Sequence, residues 1–335
     1  MVVRNEEDVL PGKIENLLSL DYPADRQEIV VVSDASTDST GRILEQAASR
    51  DPRIKVIVFA QCRGKSAGLN HAMRAARGQI IVFTDARQQI ERGAVCRLME
   101  NFADPEVGSA SGELMLGDPL SGESGKGTGL YWRIEKKIRE LESRSGSVVG
   151  ATGAFYAVRR KLLVALPEDT ILDDVFLPMN VVRSGARVVF DDRAHAWDVP
   201  SLGDHREFAR KVRTLSGNYQ LFQLAPWLFS AANPLRFEFV SHKLMRLLIP
   251  FALVAVLVTS ALIDESPYRL ALWAQVAFYA MSILARTAWK LGPLGRMADA
   301  ASTFVTLNVA AIVAFKNFVT GNKVLWIPRN TGETR

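Results

Sequence analysis

The sequence predicts an α/β domain followed by a C-terminal region of membrane-spanning helices, and three observations carry that reading. Short β-branched runs recur at 28–34 (EIVVVSD), 54–60 (IKVIVFA) and 79–85 (QIIVFTD), with helical stretches between them. The first and third stop on an aspartate, Asp34 and Asp85. After about residue 224 the chain turns apolar, and three long uncharged runs follow at 247–263, 270–285 and 300–315.

The β-branched runs lack polar alternation, which marks strands covered on both faces, and the stretches at 40–50 and 66–77 supply crossover helices of a Rossmann-like sheet. Ligands in such sheets bind beyond the carboxyl ends of the strands, where Asp34 and Asp85 fall. The string VVVSDASTDST also holds helix-capping residues; Asp38 or Ser39 is assigned to the cap of the helix that follows, and Asp34 to a ligand. In GKSAGLN (64–70) a glycine turn enters a helix, which points backbone donors at an anion. GATGAFYAVRR (150–160) places small residues ahead of an aromatic pair, either an ordinary turn before a core strand or a pocket wall with Phe155 or Tyr156 supporting a ring. In ILDDVFLP (171–178), Asp173 and Asp174 open a helical stretch, so capping competes with acid–base chemistry for their role.

The uncharged C-terminal runs sit at or just below the lower end of the roughly 17–25 residues a spanning helix needs. Arg246, Arg269, Arg286 and Lys316 flank them and can snorkel, and Trp273, Trp289 and Trp326 suit the interface. The alternative is a set of buried helices in a soluble domain. Residues 225–243 mix tryptophan, phenylalanine and basic residues, as a segment lying in the interface would. Lys316, Lys323, Arg329 and Arg335 favour a cytoplasmic tail, which three full spans would place on the opposite face from the catalytic domain. The expected division is 1–224 catalytic, 225–243 interfacial, 244–320 transmembrane with two to three helices, and 321–335 a polar tail.

Composition excludes little but trims the field. A net charge of +5 over 335 residues is no nucleic-acid footprint. Cys62 and Cys96 stand in no metal or redox spacing, and the four histidines, His71, His195, His205 and His242, show none either.

The order and spacing of the four aspartate-bearing strings resemble the family 2 glycosyltransferases, in particular the membrane-bound polymerases related to cellulose, hyaluronan and poly-N-acetylglucosamine synthases. The resemblance implies a GT-A nucleotide-sugar-binding domain with a mixed sheet, facing the cytoplasm of a multi-pass plasma-membrane protein. It implies an inverting transfer from a nucleotide sugar, a UDP-sugar by expectation, to a growing saccharide. Asp34 matches the position that accepts a hydrogen bond from uracil, and Glu6 lies in the matching RNEE string. Lys65 and Asn70 match residues lining the nucleotide pocket. Asp85 matches the first aspartate of the DXD motif and so a Mg2+ or Mn2+ ligand; Arg87 stands where the second would be, as a direct phosphate contact if the ion is absent. Asp174 matches the catalytic base, with Asp173 beside it. Of the Q-x-x-R-W signature Arg213 remains, while Arg210 and Thr214 replace the glutamine and tryptophan. Losing the tryptophan favours a rival reading, addition of one sugar to a lipid acceptor such as polyprenyl phosphate or diacylglycerol. A nucleotide-binding membrane scaffold without turnover is the rival of another class. The resemblance also brings membrane lipid and export-complex subunits as partners. A full strand precedes RNEE in the family, whereas only Met1–Val3 do here, so either the start is misassigned or the first strand is stunted.

Overall fold

The computed structural model describes residues 1–117, 130–198, 204–288 and 292–322. They divide into two compact units. One holds the described residues between Met1 and Ser201 and between Leu224 and Arg236; the other holds those between Leu202 and Gln223 and between Phe237 and Val324.

The first unit begins with a parallel sheet in the order β1 (Val2–Val3), β2 (Ile29–Asp34), β3 (Ile54–Phe59), connected through α1 (Leu10–Leu18) and α2 (Thr40–Arg50). α1 starts at a proline in its first turn and buries Leu10, Ile14 and Leu17, one stripe of a 3.6-residue repeat. α3 (Gly64–Ala75) leads to β4 (Ile80–Thr84), followed by β5 (Gln89–Ile90), α4 (Ala94–Glu100), β6 (Val107–Leu116), α5 (Leu130–Ser145), β7 (Phe155–Arg159), α6 (Asp173–Arg183) and β8 (Arg187–Asp198). The second sheet runs β4-β7-β6-β8-β5, with β6 and β8 parallel and the other neighbours antiparallel.

Two expectations change here. The run at 79–85, read as one of a parallel set, is β4 and pairs antiparallel with β7. A continuous apolar run reports burial but not the direction of the neighbouring strand. For 150–160 the pocket-wall alternative gives way to the turn before a core strand: Phe155 and Tyr156 are both fully buried on β7, between β4 and β6.

β1 is two residues long. Val2 and Val3 pair with Val32 and Ser33, and the terminal ammonium donates to the Val30 carbonyl at 3.0 Å. Beside it a cavity of about 460 Å³ is lined by residues of β2 and β4, among them Val30, Ile81 and Phe83.

In the second unit, α7 (Asp204–Leu224, its last residue counted with the first unit) sets Val212, Leu215 and Tyr219 against Leu247, Ala310, Ala311 and Ala314. α8 (Arg236–Phe239) runs through a π-helical turn (Val240–Leu244) into α9 (Met245–Leu262), then α10 (Ser266–Ala288) and α11 (Pro293–Thr320). All three uncharged runs fall on these last helices. Among the described residues two helices are long and apolar enough to cross a membrane: Arg236–Leu262 and Leu294–Thr320. On α10, Gln275 donates to the Leu253 carbonyl at 2.9 Å and to the Tyr279 hydroxyl at 2.6 Å. The buried share of the two apolar stretches is 17% and 28%, so most of their apolar surface faces outward, unlike core helices of a soluble domain. The segment 225–243 divides between the units: Ala225 and Leu228 are buried, and Phe237 is exposed. Trp289, Trp326, Lys323, Arg329 and Arg335 lie outside the described residues.

Candidate active site

Strings far apart in sequence meet at one ammonium group. Lys65, in the first turn of α3, reaches Asp85 Oδ1 at 3.1 Å and Asp173 Oδ1 at 3.2 Å. Asp85 follows directly on β4 and its side chain is 42% exposed; that of Asp173, first residue of α6, is 6% exposed. Asp173 therefore sits inside the protein and needs its partners. Its second oxygen accepts the Tyr156 hydroxyl at 3.0 Å, and Tyr156 stacks on Phe83 with ring centres 4.6 Å apart. Burial, then the neighbouring Asp173, pushes the Tyr156 hydroxyl well above the usual tyrosine range, so it stays a donor.

Capping of α6 by Asp173 is not what the structure shows. The residue at the cap position is Leu172, and its side chain makes no capping bond. Both aspartates instead occupy the first turn, where the helix dipole favours negative charge. Asp174 lies against the GATG turn: a Cβ at Gly153 would fall 2.8 Å from its Oδ2, and the Ala151 amide donates to its carbonyl at 2.7 Å. The glycine-rich string thus leaves room for a carboxylate.

Asp34 is fully buried at the end of β2. It accepts the Arg63 amide at 2.7 Å and the Gly64 amide at 2.9 Å, and Cys62 Sγ lies 3.3 Å from it. This carboxylate orders the turn that launches Lys65. Burial, followed by Asp34, raises the Cys62 thiol above its ordinary range. Ala35, next in the chain, has φ of 51°, a left-handed conformation that a non-glycine residue adopts at a cost.

The RNEE string latches onto the loop beyond β2. Thr37 N donates to Asn5 Oδ1 at 2.8 Å, Glu6 N to Thr40 Oγ1 at 2.9 Å, and Ser39 N to Glu7 Oε2 at 2.9 Å. The Glu6 carbonyl accepts from Leu10 and starts α1. The cap position of α2 is Ser39, whose side chain makes no capping bond, and Asp38, one residue earlier, accepts the Thr40 amide at 3.0 Å. Burial works against its charge, but hydrogen bonds from Thr40 and Glu7 outweigh burial and hold its pKa below the ordinary value.

Other expected residues are placed differently. The Asn70 side chain brackets Leu166, donating to its carbonyl and accepting from its amide, both at 2.8 Å. Arg87 pairs with Asp198 at 3.0 Å, and Gln88 donates to the same carboxylate at 3.1 Å. Arg213 lies on α7, in the second unit. His195 is tied to Glu91 at 2.8 Å and to the Asp192 carbonyl at 2.8 Å, a structural employment. Asp198 went unforeseen as a site residue, and Tyr156, offered as a ring support, instead supports Asp173. Asp198 did carry a signal, since β8 stops on it as β2 stops on Asp34.

The mixed sheet with aspartates beyond its strand ends is the GT-A arrangement. Residues 1–166 match the model of the Glycosyl transferase family 2, and the front of the chain is a family 2 glycosyltransferase domain. A beta-monoglucosyldiacylglycerol synthase from Synechocystis sp. is 27% identical over 274 residues, 76% of this chain and 55% of that protein. A poly-beta-1,6-N-acetyl-D-glucosamine synthase of Staphylococcus aureus is 24% identical, over 65% of this chain and 53% of that one. The chain therefore spans about half the length of these relatives. Among solved structures, the mannosyltransferase PcManGT from Pyrobaculum calidifontis, in complex with GDP-Man and Mn2+, shares the fold with a TM-score of 0.73 and 24% identity, over 96% of this chain and 86% of that one. S. aureus TarS 1–349 in complex with UDP-GlcNAc gives 0.53 and 17%, over 99% and 96%.

Proposed function

We propose that the chain is an inverting glycosyltransferase that moves a sugar from a UDP-linked donor to a growing saccharide at a membrane. The observation that carries this reading is the Lys65 bridge between Asp85 and Asp173. It gathers the GKSAGLN, TDAR and LDD strings at one place, open on the Asp85 side, with Asp174 beside Gly153. Glu6, beyond β1, would meet the base, whereas Asp34, expected there too, is fully buried and would act through the Arg63–Gly64 turn it orders; Lys65 would meet the diphosphate; Asp174 would take the acceptor's proton as its oxygen attacks the anomeric carbon. Asp173, buried against Lys65 and Tyr156, would position rather than react.

A divalent ion suits this donor set. Two carboxylates share a single ammonium, and no group of three His, Cys, Asp or Glu side chains stands together among the described residues. Mg2+ and Mn2+ accept such sparse protein ligation when substrate phosphate and water complete the shell. Asp85 would hold the ion, which when bound supplies charge neutralisation for the leaving diphosphate. Chelation and Asp85→Ala should each raise the donor KM about tenfold or more; turnover unchanged in excess chelator would leave Arg87 and Lys65 to hold the phosphates alone.

The outward apolar surface of α9 and α11 supports membrane attachment, with basic Lys243, Arg246 and Lys316 favouring a cytoplasmic catalytic unit. Arg210 and Thr214 at the altered signature, together with the glycolipid synthase among the relatives, favour a second reading in which the acceptor is a lipid. Membranes holding the full chain, incubated with labelled UDP-sugars and separated into polymer and lipid fractions, decide between them. Label in neither fraction with any donor overturns the proposal.

The Asp174 assignment makes one local forecast. Gly153 has a backbone conformation that alanine can adopt, so Gly153→Ala should leave the melting temperature nearly unchanged. The new methyl, however, displaces the carboxylate it would meet. Initial rates should fall about tenfold or more with donor affinity retained; an unaltered rate would remove Asp174 from the chemistry.

A further inference from the structure

Lys13 is fully buried on α1, on the face that also carries Leu10, Ile14 and Leu17. Its Nζ donates to the Gln88 carbonyl at 2.6 Å and to Thr84 Oγ1 at 2.9 Å. Those residues flank Asp85, Ala86 and Arg87 on either side, so one ammonium closes the neck of that turn. One helical turn further along, Asn16 brackets Ile90, donating to its carbonyl and accepting from its amide, both at 2.8 Å. From the other direction, Asp198 takes the side chains of Arg87 and Gln88. An apolar residue at position 13 would avoid the cost of burying an amine but would leave the Gln88 carbonyl without this donor. Burial drives the lysine pKa down to about 7, with Asp85 opposing, so packing alone gives no reason for an amine there.

We infer that Lys13 and Asn16 are positioning residues that hold the turn from Thr84 to Ile90, fixing where Asp85 and Arg87 meet the donor diphosphate. The inference rests on the nucleotide-sugar reading of the site. A carboxylate on a turn tied at both ends is preorganised for a phosphate-bound cation, and a displacement of about 1 Å is enough to cost on the order of 100-fold in rate.

The test uses the full chain in membranes, carrying Lys13→Met or Asn16→Ala, with donor KM, acceptor KM, kcat and UDP affinity measured per folded molecule. Lys13→Met should raise donor KM and weaken UDP binding about tenfold or more, with acceptor KM within about twofold; Asn16→Ala should shift donor KM about threefold in the same direction. A Lys13→Met protein that melts earlier yet keeps wild-type donor KM and UDP affinity overturns the inference, because support of the fold alone moves only the melting temperature. If Lys13→Met does not accumulate, Asn16→Ala decides by the same readout, and an unchanged donor KM sinks the idea. A wild-type chain that neither transfers nor binds a nucleotide sugar overturns the proposed function first. Wild-type transfer with indifferent variants overturns only this inference.

Discussion

Asp174→Asn is expected to lower transfer by about 10²–10⁴-fold while leaving UDP affinity within about twofold. The substitution keeps the size of the side chain and removes its capacity to accept a proton. The Ala151 amide bonds the Asp174 carbonyl, a backbone group that the substitution keeps, and Gly153 leaves space for either head group. The donor side is held by other residues, with Asp34 ordering the Arg63–Gly64 turn and Lys65 bridging Asp85 and Asp173. Steady-state rates with the labelled donor, set beside calorimetric UDP binding, separate the two effects. Equal loss of affinity and rate would move Asp174 from the acceptor side into the donor pocket.

The strand ends and the DD pair were legible because they depend on local pattern. A β-branched run that stops on an aspartate announces both burial and a polar group at the sheet's ligand-binding end, as at Asp34 and Asp85. Partner choice across long separations was not legible. Nothing local to Arg87 points to Asp198, nor does anything near Tyr156 predict that its hydroxyl will support Asp173. Lys13 hid for the opposite reason: a lysine at that point of an amphipathic helix reads as solvated, and its burial depends on the turn it grips. The partners of Val212, Leu215 and Tyr219, namely Leu247, Ala310 and Ala314, lie beyond the next loop or near the end of the chain, where no local pattern points to them. Sheet direction was lost in the same way, since β4 gains its antiparallel neighbour only when the chain returns at Phe155.

Lys65→Met is the other change with a large expected effect, on stability as well as turnover. Removing the ammonium leaves Asp173 buried beside a tyrosine hydroxyl with no opposing charge from α3. Breaking such a buried pair from one side costs about 3 kcal/mol, whereas the Asp85 half, with its side chain 42% exposed, is screened by solvent and adds little. The two halves can be separated. Asp173→Asn in the Lys65→Met background removes the stranded charge, keeps a hydrogen-bonding partner for Tyr156, and should restore most of the lost stability. It should not restore donor affinity, because the cation facing the diphosphate is still missing. Chemical denaturation of the single and double variants gives the coupling directly. Recovery of stability without recovery of UDP binding is the expected outcome. A Lys65→Met chain as stable as wild type would mean that the bridge between Lys65 and Asp173 adds nothing to the stability of the fold.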